Sequence, residues 1–210
     1  MDQKVFNLII LDESGSMSSI ERQAISGVNE TIQSLRLAQK DYPEQTHFLT
    51  LVSFNSHSVK TIYDNVEVAN VEELTDQQYC PAACTPLYDA MGLTLTSLSG
   101  KVSDNDAVIV TVITDGYENS SKEYDGKAIK ALVDKLKKKG WLFTYIGANQ
   151  DVEAFAHTIS ITNTLSFTAD ADGTHEMFAR DIKARRRWVD RLSFGIAPNL
   201  MCDDYFDEDN

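Results

Sequence analysis

The stretch VFNLIILDESGSMSS, residues 5–19, passes abruptly from an apolar run to acidic and hydroxyl-bearing residues. The apolar run predicts a buried β-strand that ends at Asp12. The loop that follows contains a glycine and places Ser14 and then Ser16 at a spacing of two after the carboxylate. Oxygen atoms on such a loop are well placed to bind a hard divalent cation, so the stretch predicts a cation site at the end of a strand.

Two later segments contain residues that complete such a site. VIVTVITDG, residues 108–116, begins with a second apolar, β-branched run, and Asp115 follows directly after the predicted strand. CTPLYDAMG, residues 84–92, places Thr85 directly before a helical pattern whose proline suits a first turn. In a doubly wound sheet, ligands bind beyond the carboxyl ends of the strands. We therefore expect these side chains to lie near Asp12.

The chemistry of the candidate ligands indicates which metal they would bind. Carboxylate and hydroxyl oxygens favour magnesium or manganese, while the small number of carboxylates makes calcium a weaker candidate. If the hydroxyls bind directly, they add no negative charge, and the carboxylates hold metal-bound waters. The metal then keeps an open position that suits an Asp or Glu carboxylate from a partner protein. The predicted metal ligands are Asp12, Ser14, Ser16, Thr85 and Asp115.

The order Asp12-x-Ser14-x-Ser16, then Thr85, then Asp115 resembles the metal-ion-dependent adhesion site of von Willebrand factor type A domains. All five positions of that motif are matched, and the resemblance extends from the first strand to the last helix. It implies a doubly wound, Rossmann-like fold and a non-enzymatic module whose cation accepts a carboxylate from a partner. The alternative is that these residues are ordinary turn and helix N-cap residues.

The rest of the chain alternates between short β-rich runs and amphipathic helical patterns. This alternation predicts the α/β class, with a mostly parallel sheet and helices on both faces. A short link between the second and third runs favours a hairpin and therefore one antiparallel edge strand. The predicted strands are 5–12, 46–54, 59–63, 107–114, 141–147 and 164–168, and the predicted helices are 20–42, 86–99, 128–139, 151–158 and 175–192.

Length and composition predict one domain over residues 1–200, followed by an acidic tail at 201–210 that we expect to be disordered. A docking tail built around Tyr205 and Phe206 is the alternative. The net charge of −13 argues against a nucleic-acid partner, and no apolar run is long enough for a membrane helix. The N-terminus lacks the features of a signal peptide, so we expect a cytoplasmic protein without membrane association.

YIGANQDVEAFA, residues 145–156, resembles a stretch in the bacterial intracellular branch of the family that is related to tellurium-resistance proteins. This resemblance implies a cytoplasmic, bacterial adaptor in a phosphorylation-linked or stress-response system. It also implies an associated kinase or phosphatase as a partner. Both implications come from the associations of the family rather than from the chemistry of these residues.

A metal-assisted hydrolase, such as a phosphatase, is the alternative function for the same cation. Against it, the sequence shows no positioned nucleophile with a base, no acid–base pair and no glycine-rich phosphate loop. We therefore expect a binding module that has no catalytic residues.

The cysteines and the last helix have mainly structural interpretations. Cys80, Cys84 and Cys202 are odd in number and show no zinc spacing, so we expect free thiols. The basic run 185–187 could bind an acidic or phosphorylated partner, but a solvated helix face is favoured. The same helix is expected to turn four apolar residues inward, namely Phe178, Ile182, Trp188 and Leu192.

Overall fold

The computed structural model describes residues 3–148, 151–196, 198, 205 and 206. Within these residues, strands and helices alternate for most of the chain. The strands are β1 (Gln3–Asp12), β2 (Gln45–Asn55), β3 (Ser58–Glu67), β4 (Ala107–Thr114), β5 (Leu142–Gly147) and β6 (Asn163–Ser166). The α-helices are α1 (Glu21–Asp41), α2 (Leu87–Ser99), α3 (Gly126–Lys137), α4 (Val152–Thr158) and α5 (Ala171–Ser193).

The strands form one sheet with the order β3-β2-β1-β4-β5-β6. The β2–β3 pair is antiparallel, and the other four pairs are parallel. This arrangement confirms the predicted doubly wound, mostly parallel α/β sheet with one antiparallel edge strand. The strand order reverses between β1 and β4, which lie side by side although α1, β2, β3 and α2 separate them in sequence. Folds of this kind bind ligands at such a switch point, beyond the carboxyl ends of the strands.

Apolar side chains cover both faces of the sheet, which explains why its central strands are rich in β-branched and aliphatic residues. β1 alternates between the faces. Leu8 and Ile10 pack with α2, α3 and α4, whereas Ile9 and Leu11 pack with α1 and α5. All eight residues of β4 are buried. The loops at the carboxyl ends of these strands therefore extend from a base that is packed on both sides.

Helix α5 begins at Ala171 rather than at residue 175, and the residues that it buries differ in part from those predicted. Asp170 accepts a hydrogen bond from the Gly173 N–H group at 2.8 Å and caps the first turn. The prediction for Ile182 was wrong, because that side chain is only partly buried and borders a groove along α1. The residues that are buried as predicted are Phe178, Trp188 and Leu192.

Arg185 is only 1% exposed, so the prediction of a solvated face was wrong for this member of the basic run. Its guanidinium donates to Asp181 at 3.0 Å, to Thr111 of β4 at 2.8 Å and to Asn7 of β1 at 3.2 Å. The buried charge is thus both paired and hydrogen-bonded, as the burial of a charge requires. These bonds attach α5 to the two central strands.

Tyr205 and Phe206 lie inside the predicted acidic tail, and both pack against the domain. The Tyr205 side chain is 5% exposed and contacts apolar residues of α5 and the sheet. Its N–H group donates to Asn163 Oδ1 at 3.2 Å, and its hydroxyl donates to Asp181 Oδ1 at 3.3 Å. At these two positions the tail therefore packs on the domain, with Tyr205 buried and Phe206 partly buried. Its other residues, including Cys202, lie outside the described residues, so their disorder stays a prediction.

Two further features bear on the sequence predictions. Cys80 and Cys84 are free, as predicted, and both are exposed. Within the described part of the chain, no helix combines the length and apolar character needed to cross a membrane.

The buried His47 of β2 makes stability depend on pH. Burial, together with the neighbouring charge of Arg185, lowers the pKa of its imidazole from 6.5 to about 4. The folded state therefore binds fewer protons than the unfolded state between these values, and stability falls as the pH drops through them. From pH 7 to pH 5, we expect the wild type to lose about 2 kcal/mol more unfolding free energy than His47→Gln.

Urea unfolding of both proteins at the two pH values measures this difference. The other titrating groups are common to both proteins, so the comparison isolates His47. Equal losses of stability would show that this imidazole binds protons alike in the folded and unfolded states.

Candidate metal centre

β1 ends at Asp12, whose side chain is fully buried beside the end of β4. Its Oδ1 accepts a hydrogen bond from the Ser14 N–H group at 2.7 Å, and its Oδ2 accepts one from the Thr114 hydroxyl at 2.6 Å. The Tyr79 hydroxyl donates to the Asp12 carbonyl oxygen at 2.6 Å. Neutral donors from the loop, from β4 and from the segment before α2 therefore hold this residue in one orientation.

The loop after β1 turns its hydroxyls towards Asp115. The Oγ atoms of Ser14 and Ser16 lie 3.2 Å apart, and Ser16 donates to Asp115 Oδ1 at 2.6 Å. A 3-10 helix begins at Gly15, whose N–H group donates to the Ala83 carbonyl oxygen at 3.0 Å. The fold thus brings together hydroxyl and carboxylate groups that are 99 positions apart in the sequence.

Thr85 reaches the same place from the start of α2, and its side chain is 3% exposed. A Cβ atom on Gly116 would lie 3.7 Å from Ser16 Oγ and 3.9 Å from Thr85 Oγ1. Both hydroxyls therefore border the space that this glycine leaves open. All five predicted ligands converge at the carboxyl end of the sheet.

Burial makes negative charge unfavourable at this site. The pKa of Asp12 rises from 3.8 to about 6, chiefly because of burial, although its hydrogen bonds with Thr114 and Ser14 act to lower it. Burial also raises the pKa of Asp115, and the Ser16 hydrogen bond opposes this rise. Among the described residues, no Lys or Arg forms an ion pair with Asp12. A bound divalent cation would supply positive charge here.

The donor atoms at this end of the sheet suit a hard cation, because all of them are hydroxyl or carboxylate oxygens. Hydroxyls outnumber carboxylates, and no cluster of three or more His, Cys, Asp or Glu residues able to hold a metal occurs in the described residues. Ser16 is exposed while Asp12 and Ser14 are buried, so the site is open to solvent on one side. This donor set fits magnesium or manganese.

The sequence did not indicate three residues that shape the site: Tyr79, Thr114 and Asn119. Asn119 Oδ1 accepts a hydrogen bond from the Thr85 N–H group at 2.9 Å. Thr114 adjoins Asp115 in the sequence, so its position was a usable signal. The contacts of Tyr79 and Asn119 depend on how separate loops pack together, and no local sequence pattern reports them.

The sequence profile of the von Willebrand factor type A domain matches residues 8–180. The matched region covers most of the chain and contains all five predicted ligands. The chain therefore belongs to the von Willebrand factor type A domain family. No curated protein sequence matches the chain.

Solved structures of several proteins share this fold. A mutant of the PilB minor pilin from Streptococcus sanguinis is 15% identical, with a TM-score of 0.62 over 93% of this chain and 64% of the pilin chain. The vWF domain of the type V pili tip protein Mfa5 from Porphyromonas gingivalis is 11% identical, with a TM-score of 0.61 over 93% and 97% of the two chains. Manganese-loaded TRAP protein from Plasmodium vivax is 18% identical, with a TM-score of 0.54 over 84% and 72%. The chain thus spans less than two thirds of the pilin, and these identities show the fold alone.

Proposed function

We propose that the chain is a non-enzymatic, metal-dependent protein–protein interaction module in which a divalent cation accepts a carboxylate from a partner. The observation that carries the proposal is the run of contacts from Ser14 to Ser16 to Asp115. Thr85 Oγ1 borders the same space beside Gly116. Membership of the von Willebrand factor type A family supports the proposal, because these residues match the adhesion-site motif that the sequence resembles.

The cation we propose is magnesium or manganese, with calcium a weaker candidate. Ser14, Ser16 and Thr85 would bind it through their hydroxyls, and Asp12 and Asp115 would hold its waters or bind it directly. The manganese-loaded state of the Plasmodium vivax TRAP protein supports a divalent cation in this fold. When bound, the cation supplies a positive charge and an open coordination position. Because neutral hydroxyls leave much of that charge uncompensated, an anionic ligand from outside is favoured.

The partner we propose is a protein that presents an Asp or Glu side chain. The exposed position of Ser16 leaves one side of the site open to such a ligand. Tyr117, two residues after Asp115, is 51% exposed, and its hydroxyl accepts a hydrogen bond from the Asp151 N–H group at 3.2 Å. An exposed aromatic side chain that is held in place suits contact with a residue beside the partner's carboxylate.

The proposal includes the setting that the resemblance implies. This setting is a cytoplasmic, bacterial adaptor of the tellurium-resistance type that works with a kinase or phosphatase. Residues 1–200 would form the module, and residues 201–210 would form its acidic tail. The pilus proteins among the structures with this fold mean that the fold also occurs in other settings.

A metal-assisted hydrolase is the competing function for the same site. The hydroxyls of Ser14 and Ser16 are hydrogen-bonded to each other and to Asp115. Among the described residues, neither hydroxyl forms a hydrogen bond with a histidine that could act as a base. The arrangement therefore favours metal ligation over nucleophilic attack. Assays of phosphate esters with magnesium present distinguish the two functions, since a binding module gives no turnover.

Ser16→Ala tests the proposed function, because Ser16 is exposed and its replacement leaves the core intact. We expect calorimetric titration of manganese into metal-free wild type to show a single binding site. Ser16→Ala should bind manganese about 10–100-fold more weakly, because one oxygen ligand is lost. Ser18→Ala is the matched control, since the exposed Ser18 hydroxyl donates to the Gly15 carbonyl oxygen at 2.8 Å and not to Asp115.

Two results would contradict the proposed function. One is a wild-type protein that binds neither manganese nor magnesium. The other is a Ser16→Ala variant that binds manganese as tightly as the wild type. Equal losses in Ser16→Ala and Ser18→Ala would point instead to a general disturbance of the loop.

A further inference from the structure

The backbone of Cys84 and Thr85 is hydrogen-bonded to loops on both sides. The Cys84 N–H group donates to Ser56 Oγ at 3.2 Å, and the Ser56 N–H group donates to the Cys84 carbonyl oxygen at 3.0 Å. On the other side, the Thr85 N–H group donates to Asn119 Oδ1 at 2.9 Å, and the Asn119 N–H group donates to the Thr85 carbonyl oxygen at 3.1 Å. Thr85 is thus held by one residue through both of its backbone polar groups.

The first turn of α2 depends on the same loop after β4. The N-cap residue Pro86 provides no side-chain hydrogen bond, so the first N–H groups of the helix need partners from elsewhere. The Tyr88 N–H group donates to Glu118 Oε2 at 2.9 Å, and the Asp89 N–H group donates to Ser121 Oγ at 3.1 Å. The loop after β4 therefore caps the helix that follows Thr85.

The loop is in turn ordered by carboxylates at its start and on α2. Glu118 Oε1 accepts hydrogen bonds from the Ser120 and Ser121 N–H groups, both at 2.8 Å. The Asp89 carboxylate accepts hydrogen bonds from three consecutive N–H groups of residues 122–124, each at 2.8 Å. The start of α2 and the loop after β4 are therefore one hydrogen-bonded unit that carries both Thr85 and Asp115.

We propose that Asn119 is a positioning residue for the metal centre and that it acts through Thr85. The inference rests on the proposed function, because it concerns how the Thr85 hydroxyl is held at the space beside Gly116 that the Ser16 hydroxyl also borders. The Asn119 side chain accepts a hydrogen bond from the Thr85 N–H group, and the Asn119 backbone N–H group donates one to the Thr85 carbonyl oxygen. Asn119 is itself exposed, so its replacement removes the acceptor without opening a cavity in the core.

The chain around Thr85 explains why an outside partner is needed. Ala83 adopts a left-handed backbone with φ of 63°, and Pro86 lacks an N–H group, so no regular strand or helix contains Thr85. Without the acceptor on Asn119, the Thr85 N–H group loses its partner, and the peptide group between Cys84 and Thr85 is held only on its carbonyl side, by the Ser56 N–H group. The hydroxyl would then spend less time at the position that a cation requires.

A double-mutant cycle tests whether Asn119 acts through Thr85. Manganese is titrated by calorimetry into metal-free wild type, Asn119→Ala, Thr85→Ala and the double variant. We expect Asn119→Ala to weaken manganese binding about 10-fold, as is usual for groups that orient a metal ligand. The double variant should bind manganese as weakly as Thr85→Ala alone, because a positioning residue has no effect once the group it positions is gone.

Two further variants complete the experiment. Ser120→Ala is the matched control in the same loop, because the Ser120 hydroxyl has no hydrogen-bond partner among the described residues. It should bind manganese like the wild type. Asn119→Asp keeps the Oδ1 acceptor and is expected to bind manganese at least as tightly as the wild type. It also serves as the test if Asn119→Ala fails to fold, which circular dichroism would reveal.

The outcomes separate this inference from the proposed function. Wild type that binds no manganese overturns both. A second outcome overturns only the role of Asn119. In it, the wild type binds manganese, and both Asn119→Ala and Ser120→Ala bind it with the wild-type affinity. An effect of Asn119→Ala that persists in full in the Thr85→Ala background also overturns it. The same holds if Asn119→Asp binds manganese more weakly than the wild type, because the acceptor is then not what matters.

Discussion

Replacing Arg185 by alanine is expected to lower the free energy of unfolding by about 3–5 kcal/mol. The substitution removes the guanidinium that pairs with Asp181, a carboxylate that is itself buried. It also removes the donors to Asn7 and Thr111 on the two central strands. The loss is large because the polar groups that remain cannot turn to water. Urea unfolding with a shared slope for both proteins measures it.

Arg186 provides a matched control at the next position of the same helix. It forms an ion pair with Asp41 while its side chain is 38% exposed, so Arg186→Ala should cost less than about 1 kcal/mol. Similar losses from the two substitutions would contradict the structural role of Arg185. Replacing both Arg185 and Asp181 by leucine is expected to recover part of the stability, because no buried charge then lacks its partner.

The central strands were predictable because their burial is encoded locally. The predicted and observed bounds of β4 agree, since a run of apolar and β-branched residues has few alternatives to a strand covered on both faces. The edge strands were predicted less well. β3 extends to Glu67 rather than ending at residue 63, and β6 ends at Ser166 rather than at residue 168. The length of an edge strand depends on pairing with its neighbour, which a local pattern does not contain.

Arg185 shows what local patterns miss in the core. A run of three arginines indicates a solvated face, because burying a charge is unfavourable unless partners surround it. Those partners are Asn7, Thr111 and Asp181, and two of them lie on strands far away in the sequence. The buried position therefore follows from tertiary packing alone.

The candidate site was predictable where its residues mark the ends of elements. Asp12 ends β1 and Asp115 directly follows β4, and because these strands are adjacent and parallel, the fold alone requires their proximity. Thr85 was assigned through its place before a helix and through the family motif. Asn119 carried no such mark, since its role depends on the path of an irregular loop. Sequence patterns thus predicted the candidate ligands, whereas the groups that orient them emerged only from the packing of the loops.

Asp12→Asn is expected to change stability in opposite directions without and with a metal. In the metal-free protein, burial raises the pKa of Asp12 from 3.8 to about 6, so ionisation at pH 7.5 destabilises the folded state relative to the unfolded state. Asn removes that ionisation while its carbonyl can still accept from the Ser14 N–H group. The metal-free variant should therefore be up to about 3 kcal/mol more stable than the wild type at pH 7.5.

The sign of this effect follows from the direction of the pKa shift. When the pKa of a carboxyl group is higher in the folded state than in the unfolded state, the protein becomes less stable as the pH rises between the two values. For Asp12 this range runs from the unfolded pKa of 3.8 to the folded pKa of about 6. At pH 4 the group is almost fully protonated in the folded state and close to half protonated in the unfolded state, so the advantage of Asp12→Asn should be small there. Urea unfolding of the metal-free proteins at pH 7.5 and at pH 4 measures this change.

Manganese should reverse the order of the two proteins. A cation at about 1,000 times its dissociation constant stabilises the folded wild type by about 4.1 kcal/mol, which exceeds the advantage of up to about 3 kcal/mol that Asp12→Asn has without the metal. Asp12→Asn loses the charge that attracts the cation and is expected to gain little from the same addition. The same buried carboxylate would then destabilise the empty fold and stabilise the loaded one, as expected where function rather than stability selects a residue. If manganese raised the free energy of unfolding equally in both proteins, Asp12 would not be part of the metal centre, whatever its effect on the metal-free fold.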